Sequence, residues 1–257
     1  MEPLKPVSAS ARVLLGISFF ALFIGLWALV TLGGYVQPLF LASPGRALAA
    51  GWSLFTEYNF LGDIGMTVWR VLGGFLLAAL AAVPLGLMMG AYKPVEAFFE
   101  PFISFARYLP ASAFIPLLIL WAGVGEAQKL SVIILGSVFQ IVIMVAVIAG
   151  ATRIDLVEAA YTLGARQGGI LRRVIIPAAA PQVMEALRLV LGWAWTYVIV
   201  AELIGAQSGI GHMIMDSQRL LDTGQMIFGI VVIGLIGLVT DLLFKALNRR
   251  LFRWASL

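Results

Sequence analysis

The chain has 257 residues, of which 61% are hydrophobic and only 12% charged, with a mean hydropathy of +1.01. Soluble domains carry about 25% charged residues to cover their surface, so this composition excludes a water-soluble globule, and its apolar content excludes a disordered chain. There is no cysteine and a single histidine, His212, which removes disulfides, thiolate metal sites and paired-histidine zinc signatures, so no metal site is expected.

A membrane-crossing helix needs about 20 apolar residues to cover about 30 Å of hydrocarbon. Six stretches satisfy this: residues 13–36, residues 67–91 with Pro84 inside, residues 102–124 interrupted by Pro110 and Pro116, and residues 130–151, 187–206 and 226–246. None shows the alternating segments of about 10 residues that mark barrel strands. The first has an apolar core too long for the 7–15 residues of a secretory signal, and is read as a retained span. The expected fold is all-α and integral to the membrane. It forms one transmembrane domain over residues 1–257, with an N-terminal span at 13–36, a core at 64–247 and a loop at 152–186.

Lysine and arginine in short loops set orientation. With the N-terminus in the cytoplasm, the inside collects eleven cations: Lys5, Arg12, Lys93, Arg153, Arg166, Arg172, Arg173, Lys245, Arg249, Arg250 and Arg253. The outside collects Arg46, Arg70, Lys129 and Arg219, while Arg107 and Arg188 lie near span ends. Both termini are therefore placed inside. The same asymmetry accounts for the net charge of +4 as a membrane feature, with no nucleic-acid partner implied.

Two loops exceed the length that connection requires. Residues 37–66 lie outside and hold an amphipathic piece, residues 44–58. Residues 152–186 lie inside. Here residues 157–163 read as a short helix with alanines on one side, and Gly164 permits a tight bend or a close backbone approach. A second helical piece, residues 170–176, carries Arg172 and Arg173. Pro177 and Pro181 are expected to end it and begin the next helix. The expectation is a compact cytoplasmic knob whose small and apolar face suits a partner's groove.

The knob resembles the E-A-A loop of binding-protein-dependent ABC importer permeases: E-A-A, three residues, G, nine residues, then I-x-L-P. Glu158, Ala159, Ala160, Gly164 and Pro177 match in type and spacing, while Val174 and Ile176 replace Ile and Leu. From about residue 67 onward the chain also resembles the subgroup that imports nitrate, taurine, aliphatic sulfonates or bicarbonate. The stretches concerned are Arg107–Pro110 with Ile115-Pro116-Leu117 and Trp121–Gly125, then Ala201–Ile204, then Gly209-Ile210-Gly211 with Gly237-Leu238 and Asp241.

The resemblance implies a type I importer-like permease in the bacterial cytoplasmic (inner) membrane. It implies a second permease copy, most simply a homodimer, two cytoplasmic ATPase subunits and an extracytoplasmic substrate-binding protein. Glu158, Ala159, Ala160, Gly164, Arg166 and Pro177 would couple to the ATPase. No G-x-x-x-x-G-K-[ST] phosphate loop occurs in the chain, so it is not expected to hydrolyse ATP itself; no cofactor is expected in this chain, and ATP and Mg²⁺ would sit on the partner ATPase. An ATP-independent carrier or channel is the rival reading, and a membrane-embedded enzyme a weaker one, because no catalytic constellation is visible.

Ionisable residues at membrane depth cost about 2.5–3.5 kcal/mol each on insertion scales, so each one asks for a role. Glu202 reads as a gate or pathway residue, as a buried carboxylate hydrogen-bonded to a neighbouring helix, or as a residue already at the membrane interface. Arg107 reads as holding a passing anion, pairing with an acid, or snorkelling. Pro110 and Pro116 break the third span, and freed backbone at depth is tolerated where it lines a cavity. That makes this span the candidate pathway lining. Gln140 and Thr196, with Ser137 and Tyr197, are candidate neutral donors. Asp241 and Lys245 are spaced i, i+4 for an ion pair, and residues 242–254 read as a basic amphipathic tail on the membrane surface.

Overall fold

The computed structural model describes residues 7–255, and every regular element among them is helical. Lys5, counted above among the inner cations, lies outside the described residues. The chain divides into two compact units, one taking the chain up to Phe60 with Ile214–Val231, the other taking Leu61–Met213 and the chain from Val232.

In the first unit, helix α1 (Ala9–Leu32) opens on Ser8, whose hydroxyl accepts the Ala11 N–H. Its most apolar stretch buries nothing inside the chain. A helix apolar all round and uncovered by its own chain belongs in lipid or against another chain. Helix α2 (Pro44–Glu57) starts on Ser43 with Pro44 in its first turn and corresponds to the expected amphipathic piece. Its Gly51 leaves room for the Phe228 ring, and Phe228 meets Phe55 and Phe60 with centroids 6.0 Å apart in each case.

The second unit holds the main core. Helix α3 (Phe60–Ala91) carries Val71, Ala78 and Ala82; α6 (Glu126–Gly150) carries Ile133, Ile141 and Val145; α9 (Ile176–Leu203) carries Val190, Ala194 and Val198. All nine side chains are fully buried in one cluster. Backbone approach between α3 and α6 is close: a Cβ on Gly86 would lie 2.7 Å from both the Val142 carbonyl oxygen and the Val145 Cβ. Pro84 sits inside α3 without ending it.

The third expected span is not one helix. Helix α4 (Lys93–Ala106) is followed, after Arg107–Pro110, by a 3₁₀ turn (Ala111–Phe114) that runs into α5 (Ile115–Ala122), and the two parts meet at 81°. Proline restricts the residue before it away from helical geometry, so Pro110 fixes the break. Pro116 does not break anything: it occupies the first turn of α5, where a missing N–H costs no bond. Among the described residues, five helices are therefore long and apolar enough to cross, or six if the bent pair is one span.

The segment after the knob also departs from expectation. Helix α8 (Gln167–Ile170), a π turn (Leu171–Ile175) and α9 form one continuous helical run, Gln167–Leu203. Pro177 therefore does not end the preceding piece. A proline inside a helix clashes with the carbonyl one turn back, and the wider π turn immediately before it accommodates that clash. Likewise residues 242–251 are the end of α11 (Thr223–Leu251), with only a 3₁₀ turn (Arg253–Ala255) beyond. No Gly or Pro interrupts the sequence from Leu238 onward, so nothing separates a tail from the span.

Replacing Gly86 by Val is expected to destabilise the purified protein by about 1–3 kcal/mol through overpacking against α6. Gly192→Ala, at an open helical position, should instead be neutral or stabilising by about 0.5–1 kcal/mol. Thermal melts of the two variants in one detergent check the contrast, and equal behaviour would contradict this packing.

Candidate functional site

The knob is built by a specific helix ending. Helix α7 (Ile154–Thr162) buries none of its residues. Gly164 has φ +80. The Ala165 N–H donates to the Ala160 carbonyl and the Gly164 N–H to the Tyr161 carbonyl, both at 2.9 Å. This pair of bonds is the Schellman ending, in which the residue after the cap takes a left-handed conformation that favours glycine. Of the two readings of Gly164, the tight bend is the one realised, since nothing lies within 4 Å of a Cβ placed there.

The same geometry gives the E-A-A-x-x-x-G spacing a physical reason. Ala160 is the residue whose carbonyl closes the turn, and it and Ala165 tuck against the small cluster of Ala149, Ile170 and Ile175. Glu158, Ala159, Arg166 and Pro177 are exposed. So are Ile154, Tyr161 and Leu163, the last 88% exposed. At the start of α7 the Arg153 guanidinium donates to Asp155 (3.1 Å for Nε) and holds that carboxyl below its usual value. The carboxylate so kept charged favours a helix N-terminus.

The broken span borders a cavity of about 290 Å³. Arg107, Pro110, Gln140 and Thr196, four of the six candidate pathway residues, line it together with Tyr108 and Tyr197. Arg107 donates from Nη2 to the Tyr108 hydroxyl at 2.8 Å and lies 4.8 Å from the centre of that ring. Its Nε is buried and has no hydrogen-bond partner among the described residues. Pro116 and Glu202 are not among the lining residues.

Glu202 is held in a buried network instead. Its carboxylate accepts from Thr67 Oγ1 (2.9 and 3.0 Å), Arg70 Nη1 (2.7 Å) and the Gly211 N–H (2.8 Å). Arg70 also donates to the Ser208 carbonyl at 2.7 Å and forks onto Glu126, at 2.7 Å from Nε and 2.6 Å from Nη2. Asp63 accepts the Gly209 N–H (2.6 Å) and Thr67 Oγ1 the Ile210 N–H (2.9 Å).

Three successive backbone donors, 209 to 211, are thus met by side chains where helix α10 (Ile210–Arg219) begins, a place that otherwise leaves N–H groups unpaired. Gly209, with φ +112, and Gly211 are needed here, because a Cβ on either would meet the Glu202 side chain. Arg70 and Lys129, counted above as outer cations, are both almost fully buried. The signal was present in the sequence: Asp63, Thr67 and Arg70 recur at i, i+4 and i+7, one face of a helix.

A second ionic cluster joins α9 to the last part of α11. Arg188 pairs with Glu185 at 2.8 Å and with Asp241. Lys245 reaches Asp241 at 2.8 Å, the expected i, i+4 pair. Asn248 donates to Glu185 at 2.8 Å.

Long apolar helices, a broken span bordering a cavity and an uncovered knob are together the features of a membrane transport subunit. The chain belongs to the family described as binding-protein-dependent transport system inner membrane component, which it matches over residues 74–253. It is the multi-pass permease subunit of an ABC importer, with the all-helical, type I importer-like fold. A probable ABC transporter permease protein of Brucella melitensis is 39% identical over 237 residues, covering 91% of this chain and 94% of that protein. The taurine transport system permease protein TauC of Escherichia coli is 33% identical over 252 residues, covering 95% and 91%. Inward-facing structures of the MetNI methionine ABC transporter share the fold at 18% identity, one with a TM-score of 0.59 covering 73% of this chain and 97% of that one.

Breaking the buried network from one side leaves a buried charge uncompensated. Arg70→Met is expected to destabilise by about 3–5 kcal/mol. Glu126→Gln, at a carboxylate whose side chain is 45% exposed, should cost under about 1 kcal/mol. Chemical denaturation of both variants in detergent reads the difference, and comparable losses would count against the buried pair as the dominant contact.

Proposed function

We propose that this permease imports a small oxyanion of the nitrate, sulfonate or taurine, or bicarbonate class, by alternating access. It works as a homodimer with two cytoplasmic ATPase subunits, both termini in the cytoplasm, and an extracytoplasmic binding protein delivers the solute. The chain is a transport subunit and not an enzyme: ATP and Mg²⁺ belong to the ATPase partner. Membrane lipid surrounds it, and no nucleic acid takes part.

The observation that carries the coupling role is the knob. Its backbone is locked by the Schellman ending, while its apolar side chains, Leu163 above all, are left to solvent. A soluble-facing segment that spends its apolar residues outward is built to be covered by a partner. In this reading Glu158, Ala159, Ala160, Gly164, Arg166 and Pro177 form the coupling segment. The continuous run Gln167–Leu203 would carry movement of the knob into the membrane core. The substrate class is supported by the taurine permease among the relatives.

Gly164→Asp tests the coupling. A side chain at this left-handed position costs about 1–2 kcal/mol locally and adds a charge to the docking face. The variant is expected to insert normally yet to copurify without its ATPase. Normal association and normal solute-stimulated ATP hydrolysis would remove the knob from the coupling pathway.

A further inference from the structure

We infer that the first unit carries a site for one phospholipid with an ethanolamine headgroup, built from α1, α2, the loop between them and the start of α11. The site is independent of which solute the transporter carries. Two neighbouring cavities make it up: one of about 420 Å³, bordered by Arg46 and Asp222, and one of about 470 Å³, bordered by aliphatic and aromatic residues alone. Their linings interleave. In the loop, Leu39 and Ala42 border the first and Leu41 the second. On α11, Gly224 borders the first, and Ile227 and Ile230 border the second, so one helix face passes from one cavity to the other. On α1 the second cavity takes Phe23, Leu26, Trp27 and Val30, again a single face. It is therefore a groove along two helices that are each long and apolar enough to cross a membrane, and it runs for about 10 Å. Trp27 Nε1 donates to the Ala42 carbonyl at 3.0 Å, a bond that joins one lining to the other.

The first cavity holds two charges that do not neutralise each other. Arg46 uses its backbone N–H on Ser43, and its guanidinium makes no ion pair or hydrogen bond among the described residues. Asp222 accepts the Gln225 N–H through Oδ1 at 3.1 Å, which leaves Oδ2 for another donor. A phosphodiester matches the guanidinium through paired charge-assisted bonds. A primary ammonium, with three N–H donors, matches the carboxylate. An ethanolamine phospholipid carries both groups next to each other, with acyl chains for the groove. A choline headgroup has no N–H to give, and a glycerol headgroup brings no positive charge to Asp222.

Helix α2 fits the depth of a headgroup. It buries Ala47, Gly51 and Leu54 and exposes Leu48, Trp52 and Phe55, with Trp52 73% exposed. An apolar, tryptophan-bearing outer face is how a helix lies at the boundary of a membrane, and Arg46 stands in the first turn of that helix. Asp222 follows Leu221, which is held at φ +56 by backbone bonds from Asp222 to Ser217 and from Leu221 to Gln218. Glycine is the usual residue at such a helix ending. What leucine adds is exposed apolar surface beside the first cavity. The rival occupant of the groove is a helix of a second copy. A helix 10–12 Å across fills roughly 800–1,100 Å³ over the same length, about twice the groove, so only a ridge of its side chains would enter. It would also leave Arg46 and Asp222 unmatched.

The test takes the permease purified with its ATPase in detergent and measures lipid binding by native mass spectrometry. Ethanolamine, choline and glycerol phospholipids with identical acyl chains are titrated. The ethanolamine lipid is expected to bind most tightly. Arg46→Gln should weaken all three about 10-fold, the size of one hydrogen bond to a charged group. Asp222→Asn, which keeps the helix cap, should bring the ethanolamine lipid down to the affinity of the choline lipid. Ile230→Trp, at an exposed position of the groove, should weaken all three and leave their order unchanged.

Equal binding of the three lipids, or a preference that survives Asp222→Asn, overturns the headgroup assignment. Binding unchanged in Ile230→Trp, or full displacement of the lipid by soluble glycerophosphoethanolamine, takes the acyl chain out of the groove and overturns a lipid site. The chain has no cysteine, so Ile230→Cys gives a single thiol handle in the native membrane. Permease dimers captured through it by a short thiol cross-linker would assign the groove to a second copy and overturn the proposal. Uncross-linked permease that retains the ethanolamine lipid supports it.

Discussion

The ion pair between Arg70 and Glu202 fixes how the ends of the core helices meet. Both side chains are almost completely buried, and neither is affordable alone in a low-dielectric interior. Together they draw in Thr67 and Glu126 and the backbone at Ser208 and Gly211. Helices α3, α6 and α9 and the start of α10 thereby converge on one guanidinium and one carboxylate. The first turn of α10 is held by that convergence, because its leading N–H groups are met by side chains of α3 and α9.

Away from that network the helices are held by shape. Alanine and glycine on α3 face the branched residues of α6, and the separations leave no room for a Cβ at Gly86. Helices in lipid gain little from burying apolar surface against each other, so small residues that permit close approach carry the association. The second ionic cluster, around Arg188 and Asp241, then ties α9 to the last part of α11. Helix α9 therefore meets charged partners near its middle, at Glu185 and Arg188, and at its C-terminal end, at Glu202, with apolar contacts between them.

What could be read from the sequence was what is encoded locally. The knob was legible because a Schellman ending uses residues within six positions, and Gly164 declares itself without any knowledge of the rest of the fold. Helix α2 was legible from its amphipathic pattern. The burial of Arg70 was not legible because loop-charge counting judges a cation by its neighbours in sequence, while its burial is decided by Glu202, 132 residues away. The 81° break was half legible: two prolines announced an interruption, but only the chain's path shows that Pro110 makes it and Pro116 starts the next helix. Gathering Arg107, Gln140 and Thr196 around one cavity required three elements distant in sequence, so their residue types alone left each role open.

The unbroken helical run from Gln167 to Leu203 has 37 residues, which at 1.5 Å per residue amounts to roughly 55 Å of rod. A rod of that length is a lever: a tilt of about 5° about one end moves the other by roughly 5 Å. Its weakest section is also defined, because proline at 177 and 181 deprives the carbonyls of Arg173 and Pro177 of their usual donors, right after a turn that is already overwide. Bending therefore concentrates within a few residues of the knob, and the length beyond moves as one piece. The far end of the rod carries Glu202, so a displacement started near the knob is met there by the buried bonds to Arg70, Thr67 and Gly211.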